Sequence, residues 1–276
     1  MLSGLEGKVA VVTGAAGGLG AASALRLSRE GCRVVVVDLD GAGARKVADS
    51  LPGMSIAVTA DVSVEEDVER YLDEATNSFG RIDLHHLNAG IPGSVGGFPD
   101  LTAQEFDRVM AVNVRSVFLG LRGAFRRYQA AGTTGNVALT ASIASLRGSA
   151  DLIAYQTSKH AVLGLLHGAA MYGGPLGIRV NAVAPGIVPT ALFTPSGRED
   201  MIRRAATAPL RRAGTPDEIA SVVAFLLSDE AAYITGEVVS VDGGSSVVST
   251  VRASGGAGAW DFGALDARTY RPEDQG

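Results

Sequence analysis

The chain has 276 residues, 46% of them hydrophobic, and its formal net charge is −5 with a pI near 5.4. This length and apolar content suit one large α/β domain with a substantial core. The mild acidity gives no electrostatic reason to expect nucleic acid as a partner, and because no apolar run reaches the ~18 residues of a membrane-spanning helix, no membrane partner is expected either.

Short β-branched runs alternate with amphipathic stretches along most of the chain. Strands are predicted at residues 8–13, 33–38, 55–60, 82–88, 136–140, 178–184 and 237–241. Helices are predicted at 18–30, 43–51, 64–79, 102–131, 152–172 and 215–227. Near-continuous apolar strands alternating with helices indicate a parallel sheet covered on both faces. We therefore expect an α/β fold, a single doubly wound Rossmann-type domain of seven parallel strands over residues 1–250, followed by a glycine-rich, polar tail over 251–276.

The first strand leads directly into a glycine-rich turn at the start of the first helix. The turn reads Thr13-Gly14-Ala15-Ala16-Gly17-Gly18-Leu19-Gly20. Glycines let a backbone turn tightly and approach a pyrophosphate, and the following helix N-terminus presents free N–H groups to the anion. A tight turn that needs glycine for its geometry alone is the alternative, but the place at the first strand–helix junction favours a phosphate loop.

Asp38 ends the second predicted strand, where a carboxylate can accept hydrogen bonds from both ribose hydroxyls of a dinucleotide. It would also repel a 2′-phosphate, and the next residues, Leu39-Asp40-Gly41, bring no cation. The sequence therefore predicts NAD rather than NADP as the cofactor, with a solvated strand-end aspartate as the alternative. Asp61, after the third strand, could contact the adenine edge or cap the helix that follows.

Tyr155 and Lys159 lie four residues apart on a predicted helix and so share one face. A free tyrosine, with a pKa near ~10, is a poor base at neutral pH, but a nearby cation and a positive nicotinamide would lower that pKa. Such a pair arises by chance in many helices, so its neighbours matter. Ser142 follows a strand at its carboxyl end, where ligands bind in such sheets. Asn113, inside a long predicted helix, is unfavourable by propensity and needs partners if it is buried.

Together these pieces resemble the short-chain dehydrogenase/reductase family over about residues 7–246. The matching motifs are Thr13-Gly14-x-x-x-Gly18-x-Gly20, Asp61-Val62, Asn88-Ala89-Gly90, Asn113, Ser142, Tyr155-x-x-x-Lys159, Pro185-Gly186 with Thr190, and Asp242-Gly243-Gly244. Each motif is weak alone, but their joint order and spacing is specific. One position departs from the family pattern, because Leu87 stands where the family usually has the first of two asparagines.

The resemblance implies a role for each matched residue. Tyr155 would be the catalytic acid/base, Lys159 would lower its pKa and hold the nicotinamide ribose, and Ser142 would position the reacting oxygen. Asn113 would hold a water that continues a proton relay through Lys159. The cofactor contacts implied are Gly14, Gly17, Gly18, Leu19, Gly20, Asp38, Leu39, Asp61, Val62, Asn88, Ala89, Gly90, Tyr155, Lys159, Pro185, Gly186, Ile187, Val188 and Thr190.

The substrate end is expected from residues 91–94, 146–148, 152–153 and a lid at about 188–212 that excludes water. Its apolar content favours a non-polar secondary alcohol or ketone, so the predicted function is an NAD(H)-dependent oxidoreductase that interconverts the two. One alternative is a ketoreductase of an acyl-carrier or polyketide pathway, which would use NADPH and a basic docking patch. The other, a non-enzymatic nucleotide-sensing protein, would more naturally lack the tyrosine or the lysine.

The remaining expectations concern metals, location and assembly. The four histidines do not cluster, so no metal is expected; His85 and His86 are neighbours on a strand and should face opposite sides of the sheet. The single Cys32 allows no internal disulfide and the N-terminus lacks signal-peptide features, which together predict a cytoplasmic protein. The resemblance implies a homotetramer or homodimer formed through the Tyr155 helix and the 102–131 helix.

Overall fold

One seven-stranded parallel sheet forms the centre of the computed structural model, which describes residues 1–190 and 195–247. The strands are β1 (Val9–Thr13), β2 (Arg33–Asp38), β3 (Ser55–Thr59), β4 (Leu84–Leu87), β5 (Asn136–Thr140), β6 (Arg179–Pro185) and β7 (Val238–Val241). Their order across the sheet is β3-β2-β1-β4-β5-β6-β7. The expected Rossmann-type α/β fold is confirmed.

Helices cover both faces of this sheet. They are α1 (Gly18–Arg29), α2 (Gly41–Ser50), α3 (Glu65–Phe79), α4 (Ala103–Met110), α5 (Ser116–Ala131), α6 (Ile153–Gly173), α7 (Pro195–Ala205) and α8 (Pro216–Leu227). Side chains of α1, α2 and α8 share one core with alternate residues of the central strands, while α3, α5 and α6 pack on the opposite face. Within the described residues, no helix has the length and apolar character that a membrane span requires.

The sheet is buried because its strands carry apolar side chains on both faces. In β1, Ala10 and Val12 point into the α1/α8 core, whereas Val9 and Val11 point into the α3 core. Side chains alternate between the faces of a strand, so a strand covered on both sides reads as a continuous apolar run rather than an alternating one. Continuous apolar runs of this kind are the feature that predicts the strands from the sequence.

The strand order reverses between β1 and β4, and this reversal fixes where a ligand can bind. From β1 the chain moves outward to β2 and β3, then returns to β4 and continues outward through β5, β6 and β7. Open α/β sheets bind ligands at the carboxyl ends of the strands beside such a switch point. The turn after β1 and the segment after β4 therefore meet at the predicted site.

The structure differs from the predicted elements in two places. The helix expected over 102–131 is interrupted by a π-helical turn, Ala111–Arg115, between α4 and α5. Such bulges are frequent at functional sites, and this one carries the buried Asn113. The polar helix α7 was not predicted, because its sequence lacks the apolar stripe from which helices are recognised. Part of the predicted lid, residues 191–194, and the predicted tail, 251–276, lie outside the described residues.

Candidate active site

The glycine-rich turn after β1 is shaped to receive a diphosphate. Gly14 has φ +64, and a Cβ there would lie 2.8 Å from the Cα of Ala89. A Cβ on Gly20 would clash with the carbonyl oxygen of Gly14, so α1 can approach the turn only without one. Within the described chain, no side chain caps α1 at Gly17 and its first turn holds no acidic residue. The first N–H groups of α1 are thus available to an anion, and the turn fits a dinucleotide pyrophosphate.

Asp38 lies at the edge of this turn with its carboxylate already oriented. Oδ2 accepts a hydrogen bond from the Ala16 N–H at 2.9 Å, and Oδ1 accepts one from the Asp40 N–H at 2.9 Å. An ionised carboxylate has about four acceptor sites, so each oxygen retains a lone pair for a ribose hydroxyl. Leu39 beside it is 70% exposed, which leaves an apolar surface for an adenine ring to cover.

Asp61 takes part in a turn before α3 rather than capping that helix. Its Oδ1 accepts hydrogen bonds from the Ser63 N–H at 2.9 Å and the Ser63 hydroxyl at 2.7 Å. The residue at the N-cap position of α3 is Val64, so the capping alternative for Asp61 is wrong. Val62 beside it is buried. Contact of this pair with adenine stays a prediction.

Asn88 joins the carboxyl ends of three strands. Its Nδ2 donates to the carbonyl oxygens of Thr13 and Gly14 at 3.0 and 3.1 Å, and its Oδ1 accepts from the Thr140 hydroxyl at 3.0 Å. The Asn88 and Ala89 N–H groups both donate to Thr13 Oγ1. This side chain thereby fixes the glycine-rich turn relative to β4 and β5.

Leu87, the departure from the family pattern, faces the core instead of this polar network. It is buried in the cluster formed with α5 and α6. A Cβ on Gly120 would lie 2.6 Å from a Leu87 methyl, so Gly120 leaves the room that the larger leucine side chain takes up. The substitution therefore acts through packing and leaves Asn88 in place.

Ser142, Tyr155 and Lys159 come together where β5 ends and α6 begins. Ser142 follows β5 by two residues of chain and accepts a hydrogen bond from the Ala144 N–H at 3.1 Å. The Lys159 Nζ donates to the main-chain oxygen of Thr140 at 2.8 Å and lies 5.7 Å from the centre of the Tyr155 ring. The alcohol, phenol and ammonium groups that the sequence singled out thus share one site.

The electrostatics of the pair differ from the expectation. Burial raises the pKa of Tyr155, and a hydrogen bond with Ser142 opposes that rise. Burial also lowers the pKa of Lys159 to about 8. Desolvation disfavours the charged form of each group, and the ammonium is directed at Thr140 rather than at the phenol. In this arrangement burial outweighs the groups that favour the phenolate, so a net lowering of the Tyr155 pKa would also need the positive charge of the nicotinamide.

Asn113 clamps the segment after β4 to α6. Its Nδ2 donates to the Ile91 carbonyl and to Ser158 Oγ, both at 2.9 Å, while its Oδ1 accepts from the Ile91 N–H at 2.8 Å. Ser158 in turn donates to the Tyr155 carbonyl at 2.6 Å. Both amide hydrogens are used, so the side chain is committed to positioning, and the relay water implied for this residue stays a prediction. A Cβ on Gly90 would lie 3.2 Å from Asn113 Oδ1 and 3.5 Å from Lys159 Nζ.

The segment after β6 reaches the glycine-rich turn. Gly186 donates from its N–H to the Val241 carbonyl at 3.0 Å, and a Cβ on it would lie 2.7 Å from Asp242 Cα. The Thr190 Cβ lies 3.4 Å from the position that a Cβ on Gly18 would occupy. Pro185, the last residue of β6, and Val188 are buried, whereas Ile187 is partly exposed. The structure therefore brings the predicted nicotinamide segment to the glycine-rich turn.

Two loops that are expected to form the substrate entrance meet at the start of α6, the helix that carries Tyr155. The segment 91–98 lies against the segment 146–152, because the Gly96 N–H donates to the Asp151 carbonyl at 2.9 Å. Val95, Phe98 and Leu146 on these loops are 73%, 78% and 43% exposed. A separate apolar cavity of about 460 Å³ lies between the predicted lid and the end of β7, and its lining does not include Ser142, Tyr155 or Lys159.

Sequence reasoning missed three polar residues that build this site. Thr140 holds Lys159 and Asn88, Ser158 holds Asn113, and the buried His86 bonds to Thr140 at 2.9 Å. Two signals in the sequence could have identified them: Thr140 places a hydroxyl at the carboxyl end of a strand, and Ser158 places one directly before Lys159. Among the described residues no group of three or more histidine, cysteine, aspartate or glutamate side chains could hold a metal ion.

Comparison with known proteins agrees with this geometry. The chain matches the family model described as Enoyl-(Acyl carrier protein) reductase over residues 14–246. It is 41% identical over 252 residues to levodione reductase from Leifsonia aquatica, covering 87% of this chain and 94% of that protein. It is 38% identical over 239 residues to cyclohexanol dehydrogenase from Acinetobacter sp. (strain SE19), covering 86% and 94%. The crystal structure of 3-ketoacyl-(acyl-carrier-protein) reductase from Brucella melitensis complexed with NADH has a TM-score of 0.82 and 36% identity, covering 88% and 99%.

Proposed function

This chain belongs to the short-chain dehydrogenase/reductase family, and from that premise we propose that it is an NAD(H)-dependent enzyme acting on a largely apolar cyclic alcohol or ketone. It is an oxidoreductase that interconverts secondary alcohols and ketones with a nicotinamide cofactor. One observation carries the proposal: Ser142, Tyr155 and Lys159 converge beside a phosphate loop whose carboxylate, Asp38, suits an unphosphorylated ribose.

The proposed chemistry assigns one task to each side chain. When bound, the nicotinamide supplies or accepts the hydride. During oxidation the Tyr155 phenolate takes the proton of the substrate hydroxyl, and during reduction the phenol returns it. Ser142 donates a hydrogen bond to the reacting oxygen and so holds it near Tyr155. The Lys159 charge favours the phenolate, and Asn113 fixes the backbone around Ile91 and Ser158 so that these groups keep their places.

The preference for NAD rests on Asp38 and its surroundings. Two backbone N–H groups already hold the carboxylate at the edge of the phosphate loop. Residues 14–20 and 38–43 contain no lysine or arginine to pair with a 2′-phosphate. A second negative charge at this place would be repelled, whereas two ribose hydroxyls would donate to the free lone pairs.

The substrate class follows from the side chains at the entrance. Val95, Phe98 and Leu146 present exposed apolar surface on the two loops that are expected to form the substrate entrance. Large exposed apolar groups around a site favour an apolar ligand over a sugar. Two relatives carry names of cyclic or ketone substrates, levodione reductase and cyclohexanol dehydrogenase, which supports the same choice.

The proposed assembly is a homotetramer or homodimer that buries one face of α6. Gly164, Gly168 and Met171 lie on an exposed stripe of this helix, and Met171 is 80% exposed. Nothing lies within 4 Å of a Cβ built on either glycine. Small residues allow helices to approach closely, so this apolar stripe suits a second copy of the chain.

A cytoplasmic location stays a prediction that the cysteine supports. Cys32 is buried, and burial raises the pKa of its thiol to about 12. A thiol that remains protonated is unreactive. The chain therefore neither forms an internal disulfide nor exposes a reactive sulfur.

A ketoreductase acting on a carrier-bound thioester is the second candidate, favoured by the likeness to the 3-ketoacyl-(acyl-carrier-protein) reductase. It would need a basic surface near the entrance. Three arginines of the lid contact carboxylates, since Arg203 and Arg204 contact Asp200 and Arg212 contacts Glu218. These carboxylates offset part of the positive charge there, which weakens the case for a docking patch, and Asp38 weakens the case for NADPH.

The deciding experiment titrates the purified protein with NADH and with NADPH and follows the fluorescence of the bound nicotinamide. We expect tight NADH binding and weak NADPH binding. The second step measures NAD reduction with cyclohexanol, with a sugar alcohol as the control substrate. Preference for NADPH would overturn the role of Asp38 and move the ketoreductase to first place, and equal turnover of the sugar alcohol would overturn the apolar substrate class.

A further inference from the structure

A buried hydrogen-bond chain runs from β4 through β5 to the phosphate loop. His86 Nε2 lies 2.9 Å from Thr140 Oγ1, which lies 3.0 Å from Asn88 Oδ1. Asn88 Nδ2 continues the chain to the carbonyl oxygens of Thr13 and Gly14 at 3.0 and 3.1 Å. His86 begins this chain from a fully buried position on the sheet face that packs against α1 and α8.

The partners in this chain determine which nitrogen of His86 carries the proton. Asn88 must present its NH₂ group to Thr13 and Gly14, because both partners there are carbonyl acceptors, so its Oδ1 can only accept. The single hydroxyl proton of Thr140 therefore goes to Asn88. Thr140 Oγ1 must then accept from His86, which places the proton on Nε2. Burial lowers the pKa of His86 to about 3, so the ring stays neutral at physiological pH.

Thr140 is the branch point between the phosphate loop and the proton-transfer groups. Its hydroxyl leads to Asn88, while its main-chain oxygen accepts from Lys159 Nζ at 2.8 Å. Thr140 is the last residue of β5, where the ladder to the neighbouring strand ends. Because the Thr140 side chain is hydrogen-bonded to both His86 and Asn88, the end of β5 is held in one conformation. The direction of the Thr140 carbonyl, which accepts from Lys159, is thereby fixed as well.

The histidine ring is unusual for its surroundings. Its neighbours across the sheet are Val12 and Ala138, both buried and apolar. Within the described residues, its Nδ1 has no hydrogen-bond partner. A buried polar atom without a partner is unfavourable, so a packing role would be served better by an aliphatic side chain. What the ring supplies and an aliphatic one could not is the hydrogen bond to Thr140.

We propose that His86 is a positioning residue of the active site, whose Nε2–H orients Thr140 and thereby both the Lys159 ammonium and the Asn88 clamp on the phosphate loop. It acts through Thr140 and touches neither substrate nor cofactor. The inference rests on the proposed function, since it assigns Lys159 and the phosphate loop to that reaction.

The chain offers a matched control in the next residue, His85. It is equally buried, burial lowers its pKa to about 3 as well, and its Nε2 also lacks a partner among the described residues. Its Nδ1 lies 2.9 Å from Tyr128 Oη, which donates to the Asp83 carbonyl at the opposite end of β4. The two histidines therefore lie on the same strand, are equally buried, and each leave one ring nitrogen without a partner among the described residues. They differ in the residue that they bond, which is Tyr128 for His85 and Thr140 for His86.

The test compares His86→Val with His85→Val in the full-length protein. The measurements are the Kd for NADH by nicotinamide fluorescence, kcat and KM for the alcohol, and the unfolding temperature. We expect comparable losses of unfolding temperature in the two variants. The His86 variant should raise the Kd for NADH roughly five- to tenfold and lower kcat, while the His85 variant should leave both within about twofold. His86→Gln, whose amide can donate from near the Nε2 position, should restore most of the affinity.

Two results would overturn the proposal. One is an equal effect of the His85 and His86 variants on NADH affinity and kcat; the other is a His86→Gln variant that behaves like His86→Val. If His86→Val does not fold, Thr140→Val, which removes the same hydroxyl link, makes the comparison with His85→Val. The NADH measurement requires no turnover, so failure of the wild type to oxidise any secondary alcohol would count against the proposed function and leave this comparison intact.

Discussion

Lys159 donates a hydrogen bond from its Nζ to the main-chain oxygen of Thr140 at 2.8 Å, inside the protein and beside the ring of Tyr155. The acceptor is a neutral carbonyl, so no negative charge on this partner offsets the positive charge of the ammonium beside the phenol. Burial lowers the pKa of the lysine to about 8. The charge that we propose to assist Tyr155 is therefore fixed in place, and the lysine titrates close to the pH of an ordinary assay.

Replacing Lys159 by methionine should move the pH dependence of alcohol oxidation. Without the cation the phenolate of Tyr155 loses its favourable neighbour, so the acidic limb of the kcat/KM profile should shift upward by about one pH unit or more. Activity at neutral pH should fall by on the order of tenfold to a hundredfold. Lys159→Arg, which retains a charge, is the control, and an unmoved limb in the methionine variant would contradict the role of the ammonium.

Tyr155→Phe should strongly reduce turnover while leaving cofactor binding intact. The phenylalanine ring keeps the packing of the tyrosine but cannot exchange a proton, and general acid–base catalysis is worth about 10²–10⁴-fold. We expect kcat to fall by that factor with the Kd for NADH within about threefold of the wild type. A variant that binds NADH and turns over at the wild-type rate would show that another group transfers the proton.

Asp38 can be tested by reversing the cofactor preference. Asp38→Ser combined with Leu39→Arg removes the repulsion and adds a cation where a 2′-phosphate would lie. Hydrogen bonds to charged groups contribute about 1.5–3 kcal/mol, so the NADH/NADPH affinity ratio should change by roughly tenfold to a hundredfold in favour of NADPH. Asp38→Ser alone should weaken NADH binding but improve NADPH binding less than the double variant does. An unchanged affinity ratio in the double variant would show that Asp38 does not contact the ribose.

The sheet could be predicted from sequence because its signals are local. The valine runs of β1 and β2 are buried on both faces, and a continuous apolar run bounded by glycine or charge needs no knowledge of its neighbours. Candidate residues at or just after strand ends, such as Asp38 and Ser142, could be placed equally well, since parallel strands all end at one edge of the sheet.

The polar network beneath the site could not be predicted, because it depends on which strands are neighbours. His86 meets Thr140 only because β4 pairs with β5, in a register that places His86 opposite Ala138. The π-helical turn at Asn113 likewise follows from tertiary bonds to Ile91 and Ser158 rather than from local propensity. The direction of the Tyr155 pKa shift depends on burial and on the hydrogen bond with Ser142, neither of which helical spacing provides.

Self-association should depend on the exposed stripe of α6. In a single chain Gly168 has open space around it, so Gly168→Arg should cost little in an isolated subunit. If α6 packs against a second copy, the arginine should shift the protein to a smaller species in light scattering coupled to size-exclusion chromatography. Asn77→Arg, at an exposed position on α3, is the matched control. An unchanged mass for Gly168→Arg would place the interface elsewhere.

The two buried histidines should make the protein sensitive to acid. Burial lowers the pKa of His85 and of His86 from 6.5 to about 3. The unfolded chain therefore binds protons below pH 6.5 that the folded chain does not, and stability present above that pH is lost as the pH falls toward 3. Between about pH 7 and about pH 5.5 each histidine should reduce the free energy of unfolding by about 1 kcal/mol. Denaturant unfolding at the two pH values measures this loss. His85→Gln and His86→Gln should each be less acid-sensitive than the wild type by that amount, whereas equal sensitivity in all three proteins would mean that the imidazoles take up protons in the folded state.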